Sequence, residues 1–133
     1  MFFYMHDIAN IKHIHLEISS RCNARCPLCP RNLNGYPYND GYIEHDMSID
    51  EAKKIFPASF IKQLTGLLIN GNFGDIVMNH DSIKIIEYFR ANSPDIRIQI
   101  STNGGARDSS FWQDLARLKC EIWFCVDGLE DTN

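Results

Sequence analysis

The sequence predicts an α/β fold: a parallel sheet of about four strands with three helices, curled into part of a (β/α) barrel. Three observations point to it. Strand-like and helix-like stretches alternate along the 133 residues in the order β-α-β-α-β-α-β, the pattern of a parallel sheet joined by right-handed crossovers. Three of the four strand stretches alternate apolar with polar residues, so one side of the sheet packs on helices and the other is polar. Every unusual loop follows a strand, and in a parallel array those loops share one rim, where such folds place their sites.

The elements follow in order. "HIHLEIS" (His13–Ser19) sets Ile14, Leu16 and Ile18 against His15, Glu17 and Ser19, which is strand periodicity. A cysteine loop comes next, then a polar stretch rich in Asn, Gly and Tyr, with Tyr36, Tyr38 and Tyr42, up to Asp46. "SIDE" (Ser48–Glu51) is a capping box that opens a helix; Pro57 ends or kinks it near Phe56. "LLIN" (Leu67–Asn70) is a short buried strand running into "GNFGD" (Gly71–Asp75). A helix over Asp81–Asn92 places Ile83, Ile86 and Phe89 on one stripe. "DIRIQIS" (Asp95–Ser101) is a strand followed by "TNGG", where Asn103 and Gly104 suit positive φ. Asp108 caps a helix with Phe111, Leu115 and Leu118 on its buried side. "EIWFCVD" (Glu121–Asp127) is the last strand, leading into "DGLED". Its apolar set is Ile122, Phe124 and Val126, and its other face carries Glu121, Trp123, Cys125 and Asp127.

Length and charge bound the function. One modest domain with a real core is expected. Net charge is −4 with no Lys/Arg block, so a nucleic-acid surface is not indicated, although Arg21, Arg25 and Arg31 gather around the cysteine loop. No apolar run is long enough to span a bilayer. The start, "MFFYMHDIANIK", has no basic n-region and no cleavage site. Five unevenly spread cysteines do not form a secreted disulfide framework, and a reducing cytoplasm is the expected compartment. Cys120 and Cys125 bracket the last strand; at about 3.3 Å per residue they stand too far apart to join, and Cys120 reads as a small buried apolar residue.

The chemistry sits in "SSRCNARCPLCPRN", where Cys22, Cys26 and Cys29 are spaced C-x-x-x-C-x-x-C. Thiolates so close together suit zinc or an iron–sulfur cluster. Zinc needs a fourth ligand, and His13 and His15 are poorly placed to supply it. An iron–sulfur cube held by three cysteines leaves one iron open for a small molecule. Three buried cysteines or a redox thiol pair is the plainer alternative. "GNFGD" and "TNGG" are ordinary turns when taken alone.

Together these segments resemble the radical S-adenosylmethionine (SAM) superfamily, and "EISSRCNARCPLCPR" is most similar to the subgroup whose members often carry SPASM/twitch-type C-terminal extensions. The resemblance covers essentially the whole chain. It implies that Cys22, Cys26 and Cys29 hold a [4Fe–4S] cluster and that SAM chelates the open iron. It places Leu28 near the adenine, and Gly71, Asn72, Gly74 and Asp75 at the SAM amino group. It also places Ser101 and Asn103 at the carboxylate and ribose, and Asp127 near the ribose. Asp75 and Ile76 stand where the family commonly has Glu and Pro, and Cys125 where it often has Ser. The implied activity is reductive cleavage of SAM to a 5′-deoxyadenosyl radical that abstracts hydrogen from a substrate. The electron comes from an external flavodoxin- or ferredoxin-like reductant. The cofactor carries the hard chemistry, which agrees with the absence of an acid–base pair or a nucleophile–base set in the sequence.

Four strands are fewer than the family's barrel contains. Residues 1–133 are therefore expected to be the N-terminal portion of a radical SAM core, an incomplete barrel truncated after its cofactor half or completed by another chain. The substrate is not legible; a peptide is suggested by the subgroup alone. A zinc-binding structural module and a non-catalytic barrel remnant are the alternatives.

Overall fold

A computed structural model describes residues 7–33, 36–37 and 43–126. Strands β1 (His13–Leu16), β2 (Gly66–Ile69), β3 (Arg97–Thr102) and β4 (Glu121–Phe124) form one sheet. They lie in the order β1-β2-β3-β4, every pair parallel. Consecutive order means the chain crosses the sheet in one direction without reversing. With one crossover hand, all helices then fall on the same face, which makes this an arc of a (β/α) barrel and not a doubly wound sheet. The ladder also steps: β2 opens opposite Arg97, whereas β4 opens opposite Gln99, the kind of stagger a closing barrel needs.

The helices are α1 (Ile49–Ile55), α2 (Ala58–Ile61), α3 (Ser82–Asn92) and α4 (Ser109–Arg117). That is four where three are expected. Pro57 splits the first: Phe56 takes φ −115° and ψ 83°, and Pro57 starts a separate turn of helix, α2, because the residue before proline is forced out of the helical region. Both arms of the capping box form between Ser48 and Glu51. Asp108 accepts from the Phe111 N–H and caps α4.

The core lies between the sheet and the helices. Ile14/Leu67/Ile98 and Leu16/Ile69/Ile100 are rows in register across β1, β2 and β3. All but Ile14 are buried, against Ile61, Ile85, Ile86, Phe89 and Leu115. On α3 the buried set is Ser82, Ile85, Ile86 and Phe89, with Ile83 only half-buried. These are positions i, i+3, i+4 and i+7 of one helical face, so the stripe is rotated from the expected one. The other face of the sheet carries the row His15/Leu68/Gln99/Glu121 and is polar apart from Leu68 and Trp123.

Two strand ends differ from expectation. β1 stops at Leu16, because residues 18–20 turn to pair antiparallel with residues 45–47, through Met47 N–H to Ile18 C=O at 2.9 Å and Ser20 N–H to His45 C=O at 2.8 Å. β4 stops at Phe124, and Phe124 and Val126 are exposed, not buried. Among the described residues, β4 is paired on one side only, and at its far end the Phe124 ring meets Trp112 at 5.3 Å between centroids. Among the described residues no helix is long and apolar enough to cross a membrane.

Ile100, fully buried in the middle strand, and Trp123, 61% exposed on the polar side, offer a direct check. Ile100→Ala is expected to cost about 2–5 kcal/mol and Trp123→Ala no more than about 0.5 kcal/mol, measured as shifts in urea unfolding. Equal losses at both positions would contradict this packing.

Candidate functional site

The site is where three post-strand loops meet. The first loop, carrying the cysteines, is anchored at its root. Arg21 pairs with Asp46 and donates through Nη2 to the Met78 carbonyl at 3.0 Å. The Ser19 hydroxyl donates to the same Asp46 at 2.6 Å. Burial works against a charged Asp46, but the hydrogen bonds from Arg21 and Ser19 outweigh it and hold its carboxyl below the usual range. Within the loop, Cys29 N–H donates to Cys26 C=O at 3.0 Å, and Asn32 N–H to Cys29 C=O at 2.9 Å. Arg31 reaches the Cys22 carbonyl at 3.3 Å.

The second loop, Gly71–Asp75, folds back on itself and presses on the first. A Cβ on Gly74 would lie 1.9 Å from the Ser19 carbonyl oxygen, so only glycine lets the two backbones approach this closely. Asp75 follows. Its N–H donates to the Arg21 carbonyl at 2.8 Å. Its side chain is 6% exposed. Oδ1 accepts from the Thr102 hydroxyl at 2.6 Å and the Val77 N–H at 3.1 Å, and Oδ2 accepts from the Asn103 N–H at 2.8 Å. One residue thus joins the first loop, through its backbone, to the third, through its carboxylate.

The third loop follows β3, whose last two residues are Ser101, half-buried on the polar side, and Thr102. Thr102 lies on the helix side at 2% exposure and shares its hydroxyl between Asp75 and the Gly104 N–H. Gly104 has φ +68°, whereas Asn103 is not among the residues of positive φ. Asn103 instead uses its side chain. Oδ1 accepts from Gly105 N–H at 2.7 Å, and Nδ2 lies 3.1 Å from Asn23 Oδ1 and 3.5 Å from the Cys22 sulfur.

The structure brings Cys22, Asp75 and Asn103 together, while Gly71 lies against Gly74, and Gly74 against Ser19 and Ser20. Burial pushes the Cys22 thiol above its ordinary value, partly offset by the Ala24 N–H; Asp75 adds to the rise and Arg31 opposes it. Cys26 and Cys29 are half-buried in the same loop. Among the described residues, no three His, Cys, Asp or Glu side chains are gathered around a single point that could take one metal ion. His15 is engaged with the Asn70 carbonyl at 2.6 Å, and the His13 ring lies over Gly66. Asn72 turns down to Glu17, 2.6 Å away, and Leu28 stands out at 99% exposure. Asp127, Tyr38 and Tyr42 lie outside the described residues, as does the side chain of Tyr36.

Sequence reasoning missed four participants: Thr102, Arg21, Asp46 and Glu17. Thr102 was legible as the one hydroxyl on the apolar phase of β3, which demands a buried partner. Arg21 and Asp46 are 25 residues apart, and nothing local couples them.

Removing the Asp75 carboxylate would strand three donors, two of them backbone N–H groups. Asp75→Ala is expected to destabilise the protein by about 2–5 kcal/mol, with Asp75→Asn intermediate because it returns an acceptor on one side only; thermal or urea unfolding reads both. For Asp46 the folded pKa is depressed, so its contribution is full above the ordinary carboxylate range and is lost as pH falls through the folded value. Asp46→Asn should therefore show a shallower loss of stability on acidification than the wild type in urea unfolding repeated across that range.

No family model matches the chain. It is 30% identical over 94 residues to the FeMo cofactor biosynthesis protein NifB of Herbaspirillum seropedicae, covering 68% of this chain and 18% of NifB. It is 26% identical over 131 residues to the uncharacterized protein MJ0907 of Methanocaldococcus jannaschii, covering 92% of this chain and 41% of that protein. Its fold is similar to BtrN in complex with AdoMet and 2-DOIA, with TM-score 0.65, 19% identity, and coverage of 81% of this chain and 42% of BtrN. It is also similar to BtrN in an open conformation, with TM-score 0.63, 20% identity, and coverage of 81% and 46%. The chain spans less than half the length of each of these relatives. The NifB match relates this chain to the radical SAM superfamily, and the likeness to BtrN is one of fold.

Proposed function

We propose that this chain is the cofactor-binding portion of a radical SAM enzyme. Cys22, Cys26 and Cys29 would ligate a [4Fe–4S] cluster, and SAM would lie across the rim toward Asp75, Ser101 and Asn103. The observation that carries this is the docking of the cysteine loop: Arg21 C=O on the Asp75 N–H, and Cys22 Sγ beside the Asn103 amide. The donor set fits the cluster. All three thiols are free and partly accessible. A cube takes its thiolates on separate irons, so its ligands stand wider apart than those around one zinc ion.

When bound, such a cluster would supply the one electron that splits SAM at its sulfur–C5′ bond into methionine and a 5′-deoxyadenosyl radical able to take hydrogen from a substrate. The chain's own residues bind and orient. Arg21, Asp46 and Gly74 hold the cysteine loop against the rim. Asp75 keeps the third loop in place. Its oxygens are committed to Thr102, Val77 and Asn103, so any part it takes at the SAM amino group adds to that role. The polar face carries His15, Gln99 and an Arg97–Glu121 ion pair at 2.7 Å, and presents a wet surface to a substrate. An external one-electron reductant of flavodoxin or ferredoxin type completes the reaction, in a reducing cytoplasm. A peptide is the first substrate class to test, on the subgroup resemblance of the cysteine segment.

Anaerobic reconstitution with iron and sulfide is expected to give a brown protein that bleaches on reduction. With SAM and dithionite it should then yield 5′-deoxyadenosine. A colourless protein holding one zinc, or a cluster that leaves SAM intact, would count against the reading. Replacing any one of Cys22, Cys26 or Cys29 by Ala should abolish the cluster. Cys120→Ala should leave iron content unchanged, because burial raises that thiol to about 11. Equal iron in all four variants would overturn the ligand set.

A further inference from the structure

Of the three cysteines in the loop, Cys22 is the one whose sulfur receives N–H donors among the described residues. Ala24 N–H lies 3.4 Å away within the loop, and Asn103 Nδ2 lies 3.5 Å away from the third loop, 81 residues along the chain. The amide of Asn103 cannot be turned the other way round. Its Oδ1 accepts from Gly105 N–H at 2.7 Å, so its nitrogen must be the atom facing the sulfur. Its backbone is equally constrained, with its N–H on Asp75 Oδ2 at 2.8 Å. Two buried anchors, Asp75 and Thr102, therefore hold the amide nitrogen, with its two protons, between Asn23 Oδ1 at 3.1 Å and the Cys22 sulfur at 3.5 Å.

We infer that Asn103 is a positioning residue for the cluster itself, donating to the Cys22 thiolate and raising the cluster's reduction potential. This rests on the cluster reading proposed above and gives Asn103 a role separate from contact with SAM. A hydrogen bond to a cysteinyl sulfur stabilises the more negative, reduced cluster over the oxidised one. The donor acts on Cys22 alone, so it also makes the three iron sites inequivalent before any small molecule binds. The amide carries no charge, so its effect does not depend on pH near neutrality.

The test is a redox titration of the reconstituted chain without SAM, followed by electron paramagnetic resonance, with iron content and SAM affinity measured in parallel. Asn103→Leu removes the donor without adding charge. It is expected to retain iron and to lower the reduced-to-oxidised ratio at a fixed potential about tenfold, about 59 mV for a one-electron couple. Asn103→Ser, a smaller variant that relieves crowding, should shift the potential in the same direction. Gln113→Ala, at an exposed position of α4, should leave the SAM-free potential unchanged. An unmoved potential in both Asn103 variants, whether or not SAM affinity falls, would overturn the assignment and leave Asn103 as a cofactor contact only. A wild-type chain that takes up no cluster would overturn the underlying reading as well.

Discussion

The carboxylate of Asp75 is the interaction on which the rest of the rim depends. It is buried, and both oxygens are spent on Thr102, Val77 and Asn103, while its own N–H serves Arg21. A buried charge is tolerable only when hydrogen bonds replace the water it has lost. Here the replacements come from the loop after β3 and from the turn that follows Asp75 itself. The requirement to satisfy one carboxylate therefore draws separate stretches of chain to one place. Without it, the loops after β1, β2 and β3 would share a rim but would not need to touch.

The approach also needs the absence of a side chain. Gly74 lets the Ser19 carbonyl come within a distance that no Cβ would permit. Arg21 and Asp46 then secure the same corner from the outer side, where residues 45–47 extend the sheet antiparallel beyond β1. The cysteine loop is thus gripped at its root from both flanks. Its tip, including Leu28, is left facing solvent. Firm anchoring at the root with an accessible tip is what a loop needs if it is to bring ligands to a bulky inorganic group.

The sheet divides labour across its two faces. Ile98 and Ile100 point to the helices and are buried, while Arg97, Gln99 and Ser101 point the other way. Alternation with period 2 makes this inevitable once one face is packed. In a doubly wound sheet the second face would be apolar as well. Its polarity here agrees with the strand order, since both say that helices cover one side only.

Much of this was legible from the sequence alone. The strand positions, the polar face, the shared rim, the Ser48 and Asp108 caps and the cysteine spacing all come from patterns within a few residues, where backbone geometry dictates which side chains share a face. The break at Pro57 was legible too, though not that the chain would resume as a separate helix. Tertiary structure alone decided what the polar rim residues do. Asp75 could be read as a free carboxylate until Thr102 and Asn103 were seen to occupy it, and Asn103 as a turn residue until its amide was seen beside Cys22. Local sequence sets periodicity and conformational preference, whereas hydrogen-bond partners separated by 27 to 81 residues are chosen by how the whole chain closes.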